Sequence, residues 1–348
     1  MSVMRSMSPR VWAPLCAGLA LVLTLLPARS RHASAARITE PKARVGLVFD
    51  VGGRGDKSFN DAAYEGLVRA ERELDVEVRY LEPASTEDRE AALRLFASRK
   101  LDLVIGVGFI FSSDIDAVAR AYPSVHFACV DYAPGKDMPP NVLGLAFREE
   151  EGSFLVGAAA GLLTKTKSVG FVGGMTIPLI RKFEAGYTAG VAETCPSCTV
   201  TATYAGATPD AFKDPAKGKL LAIGEAAAGA DVIFHASGST GHGVFEGAKE
   251  MHALAIGVDR DQWADMPGVV VTSMIKRVDV AVFDAIEDVI QGRFHGGIHA
   301  LGLADHGVDW VHEGAHAHDL PPVVVTAVEA LRDRVARGEI HVPTDLPH

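Results

Sequence analysis

From Arg44 onward the chain alternates short β-branched runs with helical patterns, and this alternation restricts the fold more than any other feature. Parallel strands need a long crossover between them, usually a helix, whereas antiparallel strands need only a turn. The alternation therefore predicts right-handed βαβ units and parallel sheets. The predicted strands cover residues 45–51, 76–81, 103–107, 125–130, 142–146, 169–172, 199–204, 232–235, 253–258 and 269–273.

The predicted strands fall into two series, separated by a long apolar helix that begins near Glu151. All of them together are too many for an ordinary sheet, since most sheets have about four to six strands. The pattern also restarts after this helix, with the strand at residues 169–172. We therefore predict two α/β lobes, each built on its own doubly wound parallel sheet.

Residues 1–36 have the pattern of a secretory signal peptide. Arginines precede an apolar run at residues 11–26, and the small residues 33–35 suit a signal peptidase. The run has 16 residues, whereas a membrane span needs about 20, so cleavage is favoured over a permanent anchor. Cys16 lies early in the run rather than after it, which disfavours lipid attachment. We predict a periplasmic or otherwise extracytoplasmic protein without a lipid anchor.

The charge balance argues against a nucleic-acid partner. The chain has 34 Lys and Arg against 44 Asp and Glu, and residues 1–36 contain four arginines and no acidic residue. Removal of these four arginines leaves 30 basic side chains against 44 acidic ones, a net charge near −14. Binding to a phosphate backbone depends on positive charge. No nucleic-acid partner is therefore expected.

Two of the three cysteines beyond residue 36 form a Cys-Pro-Ser-Cys motif, at Cys195 and Cys198. In an exported protein such a pair favours a local disulfide. A zinc site would need two further ligands nearby, and the motif alone is weak support for redox activity. His312, His316 and His318 are irregularly spaced and lack a dense set of acidic or cysteine ligands. We therefore predict no metal site.

Polar residues follow three predicted strands, at positions that parallel sheets bring to one crevice. Asp50, Asp131 and Asp259 each come directly after an apolar run, and Phe59 and Asn60 open the first helix. Strand carboxyl ends and the amino ends of the following helices face the same crevice. Buried carboxylates need hydrogen-bond donors, which sugar hydroxyls supply. The sequence therefore predicts a cleft for a small polar ligand with a planar part.

Three further residues around this crevice have predicted roles. Ser58, followed by Asp61, predicts a variant capping box at the start of the first helix. Lys276 leaves the last predicted strand and is expected near Asp259, where its ammonium group can bridge carboxylates and donate to a ligand oxygen. Gly238 lies in a turn after a predicted strand, and glycine lets the main chain approach a ligand closely.

Two other site classes agree less well with the sequence. The glycine-rich turn at residues 52–58 resembles a phosphate-binding loop, but Asp56 replaces its last glycine and would repel a phosphate group. His235, Ser237 and His242 lie close together, but no G-x-S-x-G elbow surrounds a serine. An exported nucleoside hydrolase remains an alternative from another class.

Several segments together resemble the basic membrane protein (BMP) family, the PnrA-like substrate-binding components of ABC transporters. The similarity runs in order over about residues 43–310. The segments that carry it are residues 56–60, 150–157, 169–175, 257–262 and 272–279.

The resemblance implies a type I periplasmic-binding fold, in which three crossovers join two doubly wound lobes. The N-terminal lobe would span residues 37–147 and 276–302, and the C-terminal lobe residues 148–275 and 303–348. The implied function is non-enzymatic: a monomer without a cofactor captures guanosine, inosine or adenosine and delivers it to an inner-membrane permease. The same fold binding a sugar or a signalling ligand is the alternative.

The resemblance also implies roles for individual residues. Ser237 and His235 depart from it, and Ser237 stands where the family usually has alanine. Asp131 favours 6-oxopurines, because a carboxylate accepts from the ring N–H of guanine or hypoxanthine. The implied contacts are Asp50, Asp259 and Lys276 on the ribose hydroxyls, Phe59 and Phe234 on the two base faces, Asn60 and Asp131 on the base edge, and Gly238 beside the sugar.

Overall fold

The computed structural model describes residues 41–83, 88–314 and 317–346, which contain two six-stranded sheets. The predicted signal peptide lies outside these residues. Neighbouring strands of the first sheet are all parallel, in the order β11, β5, β4, β3, β1, β2. These strands are β1 (Ala43–Val48), β2 (Val76–Leu81), β3 (Leu103–Val107), β4 (His126–Val130), β5 (Val142–Phe147) and β11 (Gly297–Leu301).

The second sheet has the order β12, β10, β9, β8, β6, β7. Its neighbouring strands are parallel except for β10 and β12, which run antiparallel. Its strands are β6 (Ser168–Met175), β7 (Thr199–Gly206), β8 (Val232–Ala236), β9 (Leu254–Asp259), β10 (Val270–Lys276) and β12 (Val308–Trp310).

Helices cover both faces of each sheet. In the first lobe α1 packs with α8, and α2 packs with α3 on the opposite face. In the second lobe α4 packs with α5 and α9, and α6 packs with α7 on the opposite face. The helices are α1 (Phe59–Leu74), α2 (Arg89–Ser98), α3 (Ser112–Ala121), α4 (Glu149–Leu163), α5 (Pro178–Thr194), α6 (Pro215–Ala227), α7 (Thr240–Glu250), α8 (Val278–Ile290) and α9 (Pro322–Ala336).

The chain crosses between the two lobes three times. The crossings lie between β5 and α4, between β10 and α8, and between β11 and β12. The predicted α/β fold, with two doubly wound sheets joined by three crossovers, is therefore confirmed. Across the described residues, no helix combines the length and the apolar character that crossing a membrane requires.

All the predicted strands are present, but β11 and β12 were missed. Both lie in the Gly- and His-rich region after Arg293, where the sequence predicts no strand. Most residues of β11 are exposed, and it pairs with β5 alone, at the edge of the first sheet. It therefore needs no apolar run, and β12 has only three residues. Neither strand has the composition by which a buried strand is recognised.

The predicted capping box at the start of α1 is wrong, because a different side chain caps the helix. Ser58 occupies the cap position without accepting a hydrogen bond from the helix. The carboxylate of Asp56 accepts instead from the backbone N–H groups of Ser58, Asn60 and Asp61, at 2.9, 2.8 and 3.1 Å. Ser58 is thereby free to contact the other lobe.

Candidate functional site

The carboxyl ends of the two sheets enclose a narrow space between the lobes, which we call the central cavity. Its volume is about 60 Å³, below the roughly 300–1,000 Å³ of typical ligand pockets. Every predicted contact residue except Phe234 lies in its lining. The lining residues are Asp50, Val51, Asp56, Phe59, Asn60, Gly108, Phe109 and Asp131 from the first lobe, with Leu179, Ile180, Phe183, Phe212, Ala236, Ser237, Gly238, Val258, Asp259 and Lys276.

Phe234 lies in the core of the second lobe, so its predicted contact with the ligand is wrong. Its ring centroid is 5.7 Å from that of Phe171 and 5.2 Å from that of Tyr187 on α5. Phe234 is inside β8, where side chains alternate between the two faces of the sheet. Only residues at or beyond the end of this strand, such as Ala236 and Ser237, reach the cavity.

Four phenylalanine rings line the central cavity, and three of them were missed from the sequence. Besides Phe59 these are Phe109, Phe183 and Phe212. Phe109 follows β3 in the first lobe and Phe212 follows β7 in the second, with centroids 6.5 Å apart and planes tilted by 63°. The rule that identified the aspartates, a position just past a strand, also identifies Phe109. Both lobes therefore offer aromatic surface to a ligand.

Asn60 is held rigidly by its neighbours in the first lobe. Its Oδ1 accepts from the backbone N–H of Asp50 at 3.0 Å, and its Nδ2 donates to Asp56 Oδ2 at 3.0 Å. An amide nitrogen carries two protons, so one N–H of Asn60 remains for a ligand. Asp56, which the sequence reasoning used only to exclude a phosphate loop, thus orients both the helix and this amide.

Asp131 and Asp259 adopt left-handed backbone conformations, with φ of 58° and 68°. Aspartate tolerates this region better than most residues because its short side chain hydrogen-bonds locally. Each of these aspartates directly follows or ends a strand, β4 or β9. The chain turns at these two residues, and both side chains line the cavity.

Lys276 is the buried cation of the site, only 2% exposed. Its Nζ lies 2.6 and 2.8 Å from the carboxylate oxygens of Asp131 and 3.2 Å from Glu149 Oε1. Burial alone would lower the pKa of Lys276, but the charges of Asp131, Glu149 and Asp259 outweigh it and raise this pKa. The lysine therefore stays charged. It bridges carboxylates as predicted, but it pairs closely with Asp131 and Glu149 rather than with Asp259.

Glu149, which the sequence reasoning missed, connects this pair to a second lysine. Lys182 Nζ donates to Glu149 Oε2 at 2.5 Å and to the backbone carbonyl of Phe147 at 2.8 Å. Glu149 is the first residue of α4, beside one crossover, and Lys276 ends β10, beside another. The network of Asp131, Lys276, Glu149 and Lys182 therefore joins the cavity to the connections between the lobes.

Burial raises the pKa of all four aspartates that line the cavity, which are Asp50, Asp56, Asp131 and Asp259. Burial raises the pKa of Asp50 to about 7, although a hydrogen bond from the Val51 backbone opposes the shift. Burial likewise raises the pKa of Asp259 to about 6, against the opposing charge of Lys276 and a hydrogen bond from Ser58. A ligand that donates hydrogen bonds to these carboxylates would replace the lost hydration and favour their charged form.

Side chains of the two lobes already touch on one side of the cavity. The Ser58 hydroxyl donates to the Asp259 carboxylate. Gln262 Nε2 donates to the backbone carbonyl of Lys57 at 3.1 Å, and Lys57 Nζ lies 3.0 Å from Asp265 Oδ1. The structure therefore has its lobes closed, which accounts for the small cavity.

The cysteine pair and the histidine-rich region lie away from this cavity. Cys195 and Cys198 form a disulfide in the loop after α5. His312 stacks on Trp310 with centroids 5.0 Å apart, and His318 Nε2 is 3.3 Å from Asp319 Oδ1. His316 is outside the described residues. Within those residues, no three or more His, Cys, Asp or Glu side chains are grouped so as to hold a metal ion.

Comparison with known proteins assigns the chain to a family. A family model described as "ABC transporter substrate-binding protein PnrA-like" matches residues 43–335. The chain belongs to this family. The predicted resemblance to the BMP family is thereby confirmed, and relatives include proteins named basic membrane protein A.

Two relatives and one solved structure illustrate the similarity. The ABC transporter nucleoside-binding protein BmpA of Lactococcus lactis is 31% identical, over 97% of this chain and 100% of its own. An uncharacterized lipoprotein of Pyrococcus abyssi is 38% identical over 77% of this chain and 69% of its own. A solute-binding protein of an ABC transporter system from Aeropyrum pernix is 33% identical, with a TM-score of 0.77, over 88% and 94% of the two chains.

Membership of this family establishes the general function. These proteins bind small ligands outside the cytoplasm and work with the permease of an ABC transporter, and the family is not enzymatic. The cavity described above lies between the lobes, where such a fold closes on its ligand.

Proposed function

We propose that this protein captures purine nucleosides and delivers them to its permease. The observation that carries the proposal is one cavity that combines phenylalanine rings with Asp50, Asp131, Asp259 and Lys276. Ring faces suit a flat base. Carboxylates and an ammonium group suit the hydroxyls of a sugar, which both donate and accept. The name of the Lactococcus lactis relative, a nucleoside-binding protein, agrees with this assignment.

Most proposed contacts follow the sequence prediction, with one replacement. Phe212, which lines the cavity together with Phe59, takes the role beside the base that Phe234 cannot perform. Its counterpart Phe109 extends the aromatic surface. The remaining proposed contacts are Asp50, Asp259 and Lys276 on the ribose, Asn60 and Asp131 on the base edge, and the Gly238 backbone beside the sugar.

The charge of Asp131 supports a preference for 6-oxopurines. Burial raises the pKa of Asp131, but the charge of Lys276 opposes this shift. The carboxylate accepts two close contacts from Lys276, so it remains an acceptor. The ring N–H groups of guanine and hypoxanthine donate, whereas N1 of neutral adenine only accepts. Guanosine and inosine should therefore bind more tightly than adenosine.

The mode of attachment outside the cytoplasm is a second part of the proposal. We infer export by the signal peptide at residues 1–36. The Pyrococcus abyssi relative is named a lipoprotein, and this name weighs against our prediction of a protein without an anchor. Mass spectrometry of the mature chain decides between a free amino terminus near residue 37 and a lipid-modified cysteine.

The hydrolase alternative has one geometric argument in its favour, because Ser237 Oγ lies 3.3 Å from His235 Nδ1 beside the cavity. Burial, however, lowers the pKa of His235 to about 3, so the ring is a poor base. Its other nitrogen faces the amide of Gln262 at 3.2 Å rather than a carboxylate. A serine activated by this histidine is therefore disfavoured.

Thermal unfolding with a panel of ligands tests the proposal. A ligand that binds only the folded state raises the unfolding midpoint. We expect guanosine and inosine to raise it most, adenosine less, and cytidine, free guanine and ribose little. Chromatography of the recovered ligand should find intact nucleoside. A shift with ribose alone would favour the sugar alternative, and release of free base would favour the hydrolase.

A further inference from the structure

Ser237 stands at the cavity end of a chain of side chains that reaches the opposite lobe. It follows β8 directly, lines the central cavity and is 1% exposed. Its Oγ lies 3.3 Å from Nδ1 of the buried His235 ring. Nε2 of this ring lies 3.2 Å from Gln262 Oε1, and Gln262 Nε2 donates to the Lys57 carbonyl of the other lobe at 3.1 Å.

Backbone partners fix the orientation of the Gln262 amide. The N–H of Val258 can only donate, and it lies 2.8 Å from Gln262 Oε1. The carbonyl of Lys57 can only accept, and it faces Nε2. Both bonds would be lost if the amide were flipped. The atom that faces His235 is therefore an oxygen, and His235 Nε2 must carry the proton that it accepts.

The tautomer of His235 fixes the Ser237 hydroxyl in turn. A neutral imidazole with its proton on Nε2 has a bare Nδ1, which only accepts. Burial keeps the pKa of this ring near 3, so it stays neutral at ordinary pH. A Cβ on Gly241 would lie 1.9 Å from the ring, so α7 packs directly against it. The Ser237 proton thus points to Nδ1, and only its lone pairs face the cavity.

We propose that Ser237 is a specificity-determining residue that accepts a hydrogen bond from a hydroxyl of the ligand's sugar, with His235 and Gln262 as positioning residues. This inference rests on the proposed function. The sugar is the partner because Ser237 adjoins Gly238 and shares its wall with the Asp259 carboxylate, another acceptor. Such a wall favours a hydrogen-bond donor, which a sugar hydroxyl supplies.

Calorimetry with sugar-modified inosines tests this role of Ser237. Ser237→Ala should weaken inosine binding by about tenfold, the usual effect of one hydrogen bond, whereas Ser237→Thr should stay close to wild type. Of 2′-, 3′- and 5′-deoxyinosine, one lacks the hydroxyl that donates to Ser237. That compound should bind equally well to wild type and Ser237→Ala. The matching deoxyfluoro nucleoside should behave like that deoxy compound, because fluorine cannot donate.

A pair of Gln262 variants tests the positioning chain. Gln262→Glu keeps an acceptor for His235 Nε2, so the wild-type ratio of inosine to deoxyinosine affinity should persist even if both affinities fall. Gln262→Leu removes that acceptor, so the ratio should fall towards one. This ratio does not respond to a general loss of packing.

Three results would overturn the inference. If Ser237→Ala bound inosine as tightly as the wild type, Ser237 would not contact the ligand. The proposed function would still stand, because the wild type binds the nucleoside. If the deoxyfluoro nucleoside bound as tightly as inosine to the wild type but not to Ser237→Ala, the fluorine would be accepting a hydrogen bond. Ser237 would then be a donor rather than an acceptor. Absence of any inosine binding to the wild-type chain removes the proposed function together with this inference.

Discussion

Lys276 neutralises the buried carboxylates around the central cavity. Without it, Asp131 would be left as a buried negative charge, and Glu149 would keep only Lys182 as a cationic partner. Loss of one partner from a buried ion pair typically costs about 3–5 kcal/mol. We expect Lys276→Met to lower the free energy of unfolding by about that amount. Urea denaturation measures it.

The control for this variant is Lys219→Met. Lys219 pairs with Glu250 at 2.9 Å on the surface, where ion pairs contribute little. Its unfolding curve should match that of the wild type. If both lysine variants had the wild-type stability, the buried network would not have the role that we assign to it.

Asp50 and Asp259 should make stability and ligand affinity respond oppositely to pH. Their folded pKa values of about 7 and about 6 exceed the value near 4 of an exposed aspartate. The folded state then binds more protons, so their contribution to stability falls as pH rises from about 4 to 7. Their charged forms accept from ligand hydroxyls, so affinity should rise over the same interval.

Calorimetry and thermal unfolding at several pH values measure the two trends. Asp50→Asn should remove most of the change in affinity near pH 7, because the amide does not titrate. An affinity for inosine that is constant from pH 5 to 8 would contradict a role for these carboxylates in binding.

The contact between α1 and α8 depends on a glycine. A Cβ on Gly66 would lie 2.3 Å from the backbone carbonyl oxygen of Asp279, so the helices would have to move apart. Alanine normally stabilises a helix by about 1 kcal/mol relative to glycine. Here overpacking should reverse the sign, and Gly66→Ala should destabilise the first lobe by about 1–3 kcal/mol.

Gly224→Ala is the matched control, because Gly224 lies within α6 and a Cβ there meets no atom within 4 Å. This variant should be slightly more stable than the wild type. Thermal unfolding of the two variants gives the comparison. Stabilisation by both substitutions would show that α1 and α8 tolerate separation.

The sequence predicts elements best where burial imposes a pattern. The longer buried strands of both sheets have apolar runs and were identified, whereas the exposed edge strand β11 and the three-residue strand β12 have none and were missed. Phe234 was assigned from a matched position, but strand alternation turns its ring into the core. Phe212 precedes α6 in a short helical turn after β7, so no local pattern indicates that it reaches the cavity.

Partners that are distant in the sequence were the hardest to predict. Lys276 lies near Asp259 as expected, but its close ion-pair partners Asp131 and Glu149, which are 145 and 127 positions earlier, were not predicted. Ser58 was expected to cap its own helix, yet it contacts Asp259 in the other lobe. These side-chain pairings depend on how the two lobes pack against each other, which no local sequence pattern indicates.

The central cavity has a volume of about 60 Å³, which is below the roughly 300–1,000 Å³ of typical ligand pockets and too small for a nucleoside to enter. The crossovers beside Glu149 and Lys276 must therefore allow the lobes to separate and close again. We expect the radius of gyration from X-ray scattering to decrease when inosine is added and to stay constant with cytidine. An unchanged radius at saturating inosine would argue against closure around the ligand.

The central claim is that carboxylates and aromatic rings between the lobes bind a purine nucleoside, and calorimetry of wild type and Asp259→Ala with inosine tests it most directly. We expect one inosine per wild-type chain and no measurable binding to the variant. The two free proteins should unfold at nearly the same temperature, since Asp259 is already disfavoured as a buried charge. Equal inosine affinity of the two proteins, or no binding to either, would contradict the account.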